Sequence, residues 1–427
     1  MSDPLKVLLV IHDFLPYHSG GSEIATHRLA KSLRARGVDA RVVFTERHDD
    51  REQFTFSEGE YDGIPFHEVV YNHIFEDFED MYDDPRMTRA FEAVLAEVRP
   101  DVVHFESTVF FGFGCVRAAA KLAPVVLTLH DYYLLCPRGG LLMKEDGTLC
   151  PDRTAEDCAA CMEHYPLQPS KYGADPEHFE RRATFVPAVE RRMERVRELV
   201  PHVRLFTAPS HFLREMMILH GFPAERFVMT DNGYDPEGFR RSDRRPSKPI
   251  HIGYIGGLTP WKGVDVLLEA CRGLPADGYR LSIYGDRTWF PDTISRLDAL
   301  AEGTSAHFEG PYENARVAEI LAGFDCIVVP SIWYENSPMT IHEAHLAGVP
   351  VIATGHGGLA EFVQDGINGL HFDRGSADSL RSVLRELIDD PGRLEALRSG
   401  MDTVKSAADE ASEWEERYRM LRGEAAQ

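Results

Sequence analysis

Short, almost wholly apolar runs recur along the chain, each followed by polar residues and then by a stretch with helical spacing. The N-terminal part shows the unit: the run KVLLVI, the loop HDFLPYHSGGSE, the helical IATHRLAKSLRARG and the run VDARVVF. Strand, loop, helix, strand in that order predicts the opening of a parallel α/β sheet. Further strands are predicted at DVVHFE, VVLTLH and LFTAPS, each ending in polar residues. Ligands of open α/β sheets bind outside the carboxyl ends of the strands. His12, Asp13, His104, Glu106, His130, Asp131 and Ser210 are therefore expected at one crevice.

The polar, proline-bearing stretch RRSDRRPSKP, residues 240–249, reads as a linker. Beyond it HIGYIGGL, YRLSIYGD, AHFEGPY, FDCIVVPS, VPVIATG and NGLHF alternate with helical segments, predicting a second α/β domain. At the end Trp414, Tyr418 and Leu421 recur at helical spacing. The expected organisation is an N-terminal domain over 1–240 with a cysteine-rich insertion at 136–161, a C-terminal domain over 250–405, and a helix in 406–427 packing back on the body. Two such domains leave a cleft, a common place for ligands.

One segment carries more chemistry than the rest: PSIWYENSPMTIHE, residues 330–343, directly after the strand FDCIVV. Ser337 suits an N-cap and Pro338 the first helical position, so a helix is expected to begin there and to stop at Gly348 and Pro350. Free amides at Met339 and Thr340, with the positive end of the helix dipole, make a site for phosphate. Glu335 precedes that end, and Glu343 lies in the helix roughly 7 to 8 Å along its axis. Carboxylates accept hydrogen bonds from hydroxyls while amides hold phosphates, and a nucleotide sugar carries those groups in that order.

Composition limits the ligand classes. The 427 residues hold 69 acidic against 46 basic side chains, a net charge of -23, which disfavours nucleic acid as a partner. The N-terminus lacks the pattern of a secretory signal and no stretch has the ~20 apolar residues a transmembrane helix needs, so a cytoplasmic location is expected.

The pair Glu335 and Glu343, an E-x7-E, and the surrounding WYENSPMTIHEAHLAGVPVIATGHGGLAEFVQDGINGLHF resemble the donor site of family 4 glycosyltransferases. GGLTPWKG at 256–263, NGYD at 232–235 and the Gly20-Gly21 loop extend the similarity over most of the chain. The resemblance implies a GT-B α/β fold, two Rossmann-like domains facing each other across a cleft. It implies a retaining enzyme that takes a sugar from a UDP- or GDP-linked donor to a glycan, lipid or small-molecule acceptor the sequence does not identify. Glu335 would then hold sugar hydroxyls, Glu343 the ribose, and Lys262 the diphosphate, with His130 at the donor sugar and Gly20, Gly21, Gly257 and Ser337 lining the donor. A front-face displacement of this kind uses neither a side-chain nucleophile nor a catalytic metal. One departure stands out: family members often carry arginine where this chain has Gly257, so either another basic residue replaces it, Arg287 being one candidate, or Lys262 does more of the work. Two other readings compete: a nucleotide-sugar isomerase or hydrolase on the same fold, and a non-catalytic sugar-nucleotide sensor.

Cys136, Cys150, Cys158 and Cys161 are spaced C-x13-C-x7-C-x2-C, which suits a structural zinc site of four thiolates. The basic stretch Arg181 to Arg197 offers a face for an anionic lipid-linked acceptor or a peripheral membrane contact. Its interleaved glutamates and Pro187 favour a solvated helix face.

Overall fold

The computed structural model describes residues 4–73, 78–144, 146–150, 152–162, 185–240, 245–246, 248–401 and 403–423. Parts of the expected linker (241–244 and 247), of the basic stretch (181–184) and of the C-terminal segment (424–427) lie outside the described residues. The chain forms two compact units. The first comprises Met1–Leu142, Cys150–Asp235 and Lys405–Gln427, the second Met143–Leu149 and Pro236–Val404. Among the described residues no helix is long and apolar enough to cross a membrane.

Unit 1 is built on eight strands: β1 (Lys6–Val10), β2 (Asp39–Glu46), β3 (Phe56–Tyr61), β4 (Ile64–Val70), β5 (Val102–Phe105), β6 (Val125–Thr128), β7 (Leu205–Ala208) and β8 (Phe227–Met229). Their order is β3-β4-β2-β1-β5-β6-β7-β8, parallel except for the β3/β4 hairpin. The central strands read as unbroken apolar runs because helices cover both faces of a parallel sheet. The hairpin is absent from the sequence reading although YDG marks it. Asp62 and Gly63 both have positive φ, 49° and 76°, as a tight two-residue turn requires. At β8 three half-buried residues give too weak a pattern to be read.

The order of chain entry reverses between β1 and β5, and at such a reversal the loops from two neighbouring strand ends part and leave a crevice. The loops after β1 and β5, with that after β6 next to them, carry His12 and Asp13, Glu106, and His130.

After unit 2 the chain returns to unit 1. Tyr234 N–H donates to Lys405 O at 2.9 Å and Ala407 N–H to Tyr234 O at 2.9 Å. Helix Ala407–Leu421 then lays Ala411, Trp414 and Tyr418 into the core formed by β1, β2 and helix Gly21–Ala35. Glu410, in its first turn, is buried and accepts a hydrogen bond from Gly233 N–H at 2.9 Å. Burial pushes its pKa from 4.5 up to about 7. A raised acid pKa adds stability that is complete below 4.5 and is lost as pH rises through about 7. Glu410→Gln retains an oxygen for Gly233 and removes the ionisation. Thermal melts of the variant should lose part of the decline in stability that the native chain shows across this window. Identical pH profiles for the two proteins would refute the assignment.

Unit 2 contains β9 (Ile250–Ile255), β10 (Tyr279–Tyr284), β11 (Ala306–Gly310), β12 (Cys326–Val329), β13 (Val351–Thr354) and β14 (Gly369–Phe372). All are parallel, in the order β11-β10-β9-β12-β13-β14. Here the reversal falls between β9 and β12, and the loops that leave those two strands bear Lys262 and Glu335.

Candidate functional site

Lys262 ends the short turn Pro260–Lys262 after β9. Its Nζ donates to Glu335 Oε1 at 2.6 Å and lies 5.4 Å from the centre of the Trp333 ring. Glu335 comes from the loop after β12, its side chain only 6% exposed against 28% for Lys262, so the ammonium is the more accessible partner and the carboxylate the more enclosed one. Ser331 Oγ donates a second hydrogen bond to the same Oε1 at 2.6 Å.

Two glycines allow the loops to close this tightly. Gly263 has φ +69°, and a Cβ there would stand 2.0 Å from Pro330 O; at Gly358 a Cβ would meet Asn336 O at 2.3 Å. Gly358 N–H in turn donates to Glu335 O at 3.1 Å, fixing the backbone that carries the carboxylate.

The helix after this loop runs Met339–Ala347, closed by Gly348 in the left-handed conformation. It starts one residue later than expected. Pro338, extended, occupies the cap position and no side chain caps the helix. Ser337 is therefore not the N-cap. The residue before a proline is driven out of the helical region, and the Ser337 hydroxyl instead shares a 3.0 Å hydrogen bond with His342 Nε2. Residues 337–340 are partly exposed, leaving the first amides of the helix, Met339 and Thr340, within reach of a ligand. Glu343 is buried one turn further in, and its charge acts on Tyr312. Burial first and Glu343 second push the Tyr312 phenol up to about 12.

Gly257 lies in the turn after β9, where its carbonyl accepts from Tyr254 Oη at 2.7 Å. Arg287 does not stand in for the missing arginine as a spare cation. Its Nη2 is held by both oxygens of Asp298 at 2.6 and 2.7 Å, and its guanidinium lies 4.6 Å from the Phe308 ring centre. Arg374, missed in the sequence, donates from Nη1 to Ile332 O at 2.8 Å, three residues before Glu335, and to Gly147 O at 3.1 Å. Ser331, Trp333 and Tyr312 were also missed. The first two lie inside the motif-bearing loop itself, while Tyr312 and Arg374 sit in loops with no recognisable spacing.

In unit 1, Gly20 precedes helix Gly21–Ala35 as its N-cap, with Gly21 as first residue. Glu23 in its first turn approaches His12 Nε2 at 3.5 Å. His130 Nε2 donates to Glu106 Oε2 at 3.0 Å. Burial alone would lower the His130 pKa, but the hydrogen bond and charge of Glu106 overcome it and hold the imidazole above its ordinary value. Asp131, beside it, is raised by burial. His104 and Ser210 do not join this face. The His104 ring is fully buried, 2.6 Å from both Tyr418 Oη and Thr128 Oγ1, and Ser210 Oγ caps helix His211–Leu219 by accepting from Leu213 N–H. Both belong to the core: an apolar strand with one polar residue signals a satisfied interior group as readily as a site.

The fold is that of GT-B glycosyltransferases. The structure aligns with a sucrose-phosphate synthase from Thermosynechococcus elongatus at TM-score 0.70 and 16% identity, covering 98% of this chain and 99% of that one. It aligns with HepE from Anabaena, solved with UDP and glucose, at TM-score 0.62 and 19% identity, covering 96% and 95%. The family model described as Glycosyltransferase Family 4 matches residues 19–237, over half the chain, and that described as Glycosyl transferases group 1 matches 236–401. The chain belongs to glycosyltransferase family 4. A D-inositol 3-phosphate glycosyltransferase of Mycobacterium tuberculosis is 30% identical over 179 residues. That match covers 39% of this chain and only 37% of the relative, just over a third of its length.

Proposed function

We propose that the protein transfers a sugar, with retention of configuration, from a UDP- or GDP-linked donor to a hydroxyl of a glycan, lipid-linked or small-molecule acceptor. The observation that carries this reading is the Lys262–Glu335 pair beside the open N-terminus of helix Met339–Ala347. The helix amides and Lys262 present positive charge to a diphosphate, and that attraction strengthens as the leaving group gains charge. Glu335 accepts from sugar hydroxyls and Glu343 from the ribose. The departing phosphate takes the acceptor proton, so no side chain has to act as nucleophile, and charge stabilisation comes from Lys262 and the helix end with no catalytic metal proposed. HepE, with UDP and glucose in its solved structure, supports a donor of this chemistry. The Glu106–His130 pair of unit 1 is assigned to the sugar and acceptor side.

Ligands that bind only the native state raise apparent stability by RT ln(1 + [L]/Kd), about 2.7 kcal/mol at a hundredfold excess over Kd. UDP or GDP should therefore raise the melting temperature, and Glu343→Ala should remove that shift while leaving the smaller one due to inorganic diphosphate. Donor incubated without acceptor should persist, against hydrolysis or isomerisation. Product NMR should show the anomeric configuration of the donor. No shift with any nucleotide diphosphate overturns the donor assignment, and an inverted product overturns retention alone.

A further inference from the structure

We propose that Cys136, Cys150, Cys158 and Cys161 bind one structural zinc ion as thiolates, with Arg153 as the cation that offsets the charge of the centre. The proposal is independent of the donor site, being drawn from the segment between β6 and helix Phe185–Leu199.

Cys158 and Cys161 lie one turn apart on helix Ala155–Met162, so both side chains leave the same face. Cys136 sits in a turn fixed by its N–H to Tyr132 O at 2.7 Å, and Gly140 N–H returns to Cys136 O at 3.2 Å. Cys150 is held by its N–H to Leu142 O at 2.8 Å. Cys136 and Cys158 are buried, and Cys158 packs with Ala155 and Ala159 on Val189 of helix Phe185–Leu199. The other three sulfurs and Arg153 all lie within electrostatic reach of Cys158.

Arg153 supplies the second, separate observation. Its Nε and Nη1 are shut off from solvent and have no hydrogen-bond acceptor among the described residues. Cys158, Cys136 and Cys150 lie within electrostatic reach of it. A buried guanidinium needs a partner, and neutral thiols are poor ones. Four thiolates around a zinc ion carry two net negative charges, so Arg153 would meet sulfurs able to accept its N–H groups. Binding balances simply: four S–H bonds break, four Zn–S bonds form, and four protons leave to solvent.

Two clusters among the described residues, both without cysteine, bring three ligand atoms within 4.8 Å of one another: His12, Asp13 and Glu23, and Glu58, His67 and Glu97. Each is already joined internally, His12 to Glu23 at 3.5 Å and His67 to Glu97 at 3.4 Å, and neither offers sulfur. Among the described residues no three cysteine sulfurs meet that spacing, so the ion has to draw them together. The centre would then tie the loop that begins six residues after His130 to a helix otherwise anchored by a small apolar cluster.

Elemental analysis of the full chain, purified after growth with zinc, should give one zinc per chain. A mercurial should release it as four thiols are titrated, and cobalt exchanged into the site should show a thiolate-to-cobalt charge-transfer band. Cys158→Ser should lose the metal and Cys271→Ser should keep it. Arg153→Gln should weaken zinc retention against a chelator by about 10-fold, the usual scale for a partner outside the ligand shell. If the cysteine variants do not fold, the cobalt spectrum and the chelator competition on the native chain still decide. Zinc well below one per chain, iron in its place, or no charge-transfer band would each overturn the proposal.

Discussion

Lys262→Ala should lower kcat/KM for sugar transfer by about 10²- to 10³-fold, the scale of losing one charge-stabilising group. The ammonium has two tasks. In the structure it pairs with Glu335, whose carboxylate is nearly enclosed, at 2.6 Å; under the proposed function it also faces the diphosphate of the donor. Removing it leaves a buried carboxylate whose remaining side-chain partner is Ser331, so part of any loss could come from a rearranged loop. Glu335→Gln separates the two. It keeps the size of the side chain and an oxygen for Ser331 and Lys262, but presents a neutral group to the sugar hydroxyls, so transfer should fall while the melting temperature stays close to native. If both variants, confirmed as folded by circular dichroism, transfer sugar at near-native rates, the assigned mechanism fails.

The legibility of this site in the sequence follows from its chemistry. Glu335, Glu343 and Lys262 each sit at a fixed offset from a strand end or helix start, and unbroken apolar runs reveal those boundaries. The strand order, by contrast, is a long-range property: nothing local in HIGYIG or FDCIVV states that β9 and β12 are neighbours, and it is that adjacency which brings Lys262 to Glu335. Ser337 shows where a local rule misleads, since serine before proline has the composition of a helix start but its hydroxyl was claimed by His342. His104 shows a second limit. Its partner Tyr418 lies more than three hundred residues away, so its interior role could not be read from the strand that bears it. The β3/β4 hairpin was legible only through Asp62-Gly63, because β3, FSEGEY, is a largely exposed edge strand with few apolar residues to mark it.

Trp414→Ala should destabilise unit 1 by about 3 to 5 kcal/mol, the usual range for emptying a buried large aromatic position. Trp414 is 2% exposed, stacks on Tyr418 with ring centres 5.3 Å apart, and packs on His104 at 4.5 Å. The helix that carries it closes over the core of β1, β2 and helix Gly21–Ala35, so the cavity would open beneath the strand bearing His104. That position couples stability to the site: His104 Nε2 is 3.5 Å from Glu106 Oε1, and Glu106 Oε2 receives the hydrogen bond that orients His130. Trp414→Phe, retaining an aromatic ring, should cost less than the alanine variant in denaturant unfolding. Transfer by Trp414→Ala at a temperature where it remains folded should also fall, because the Glu106–His130 pair loses the wall behind it. A variant within 1 kcal/mol of native, on the order of ordinary surface changes, would show that the C-terminal helix is an accessory to unit 1 and not part of its core.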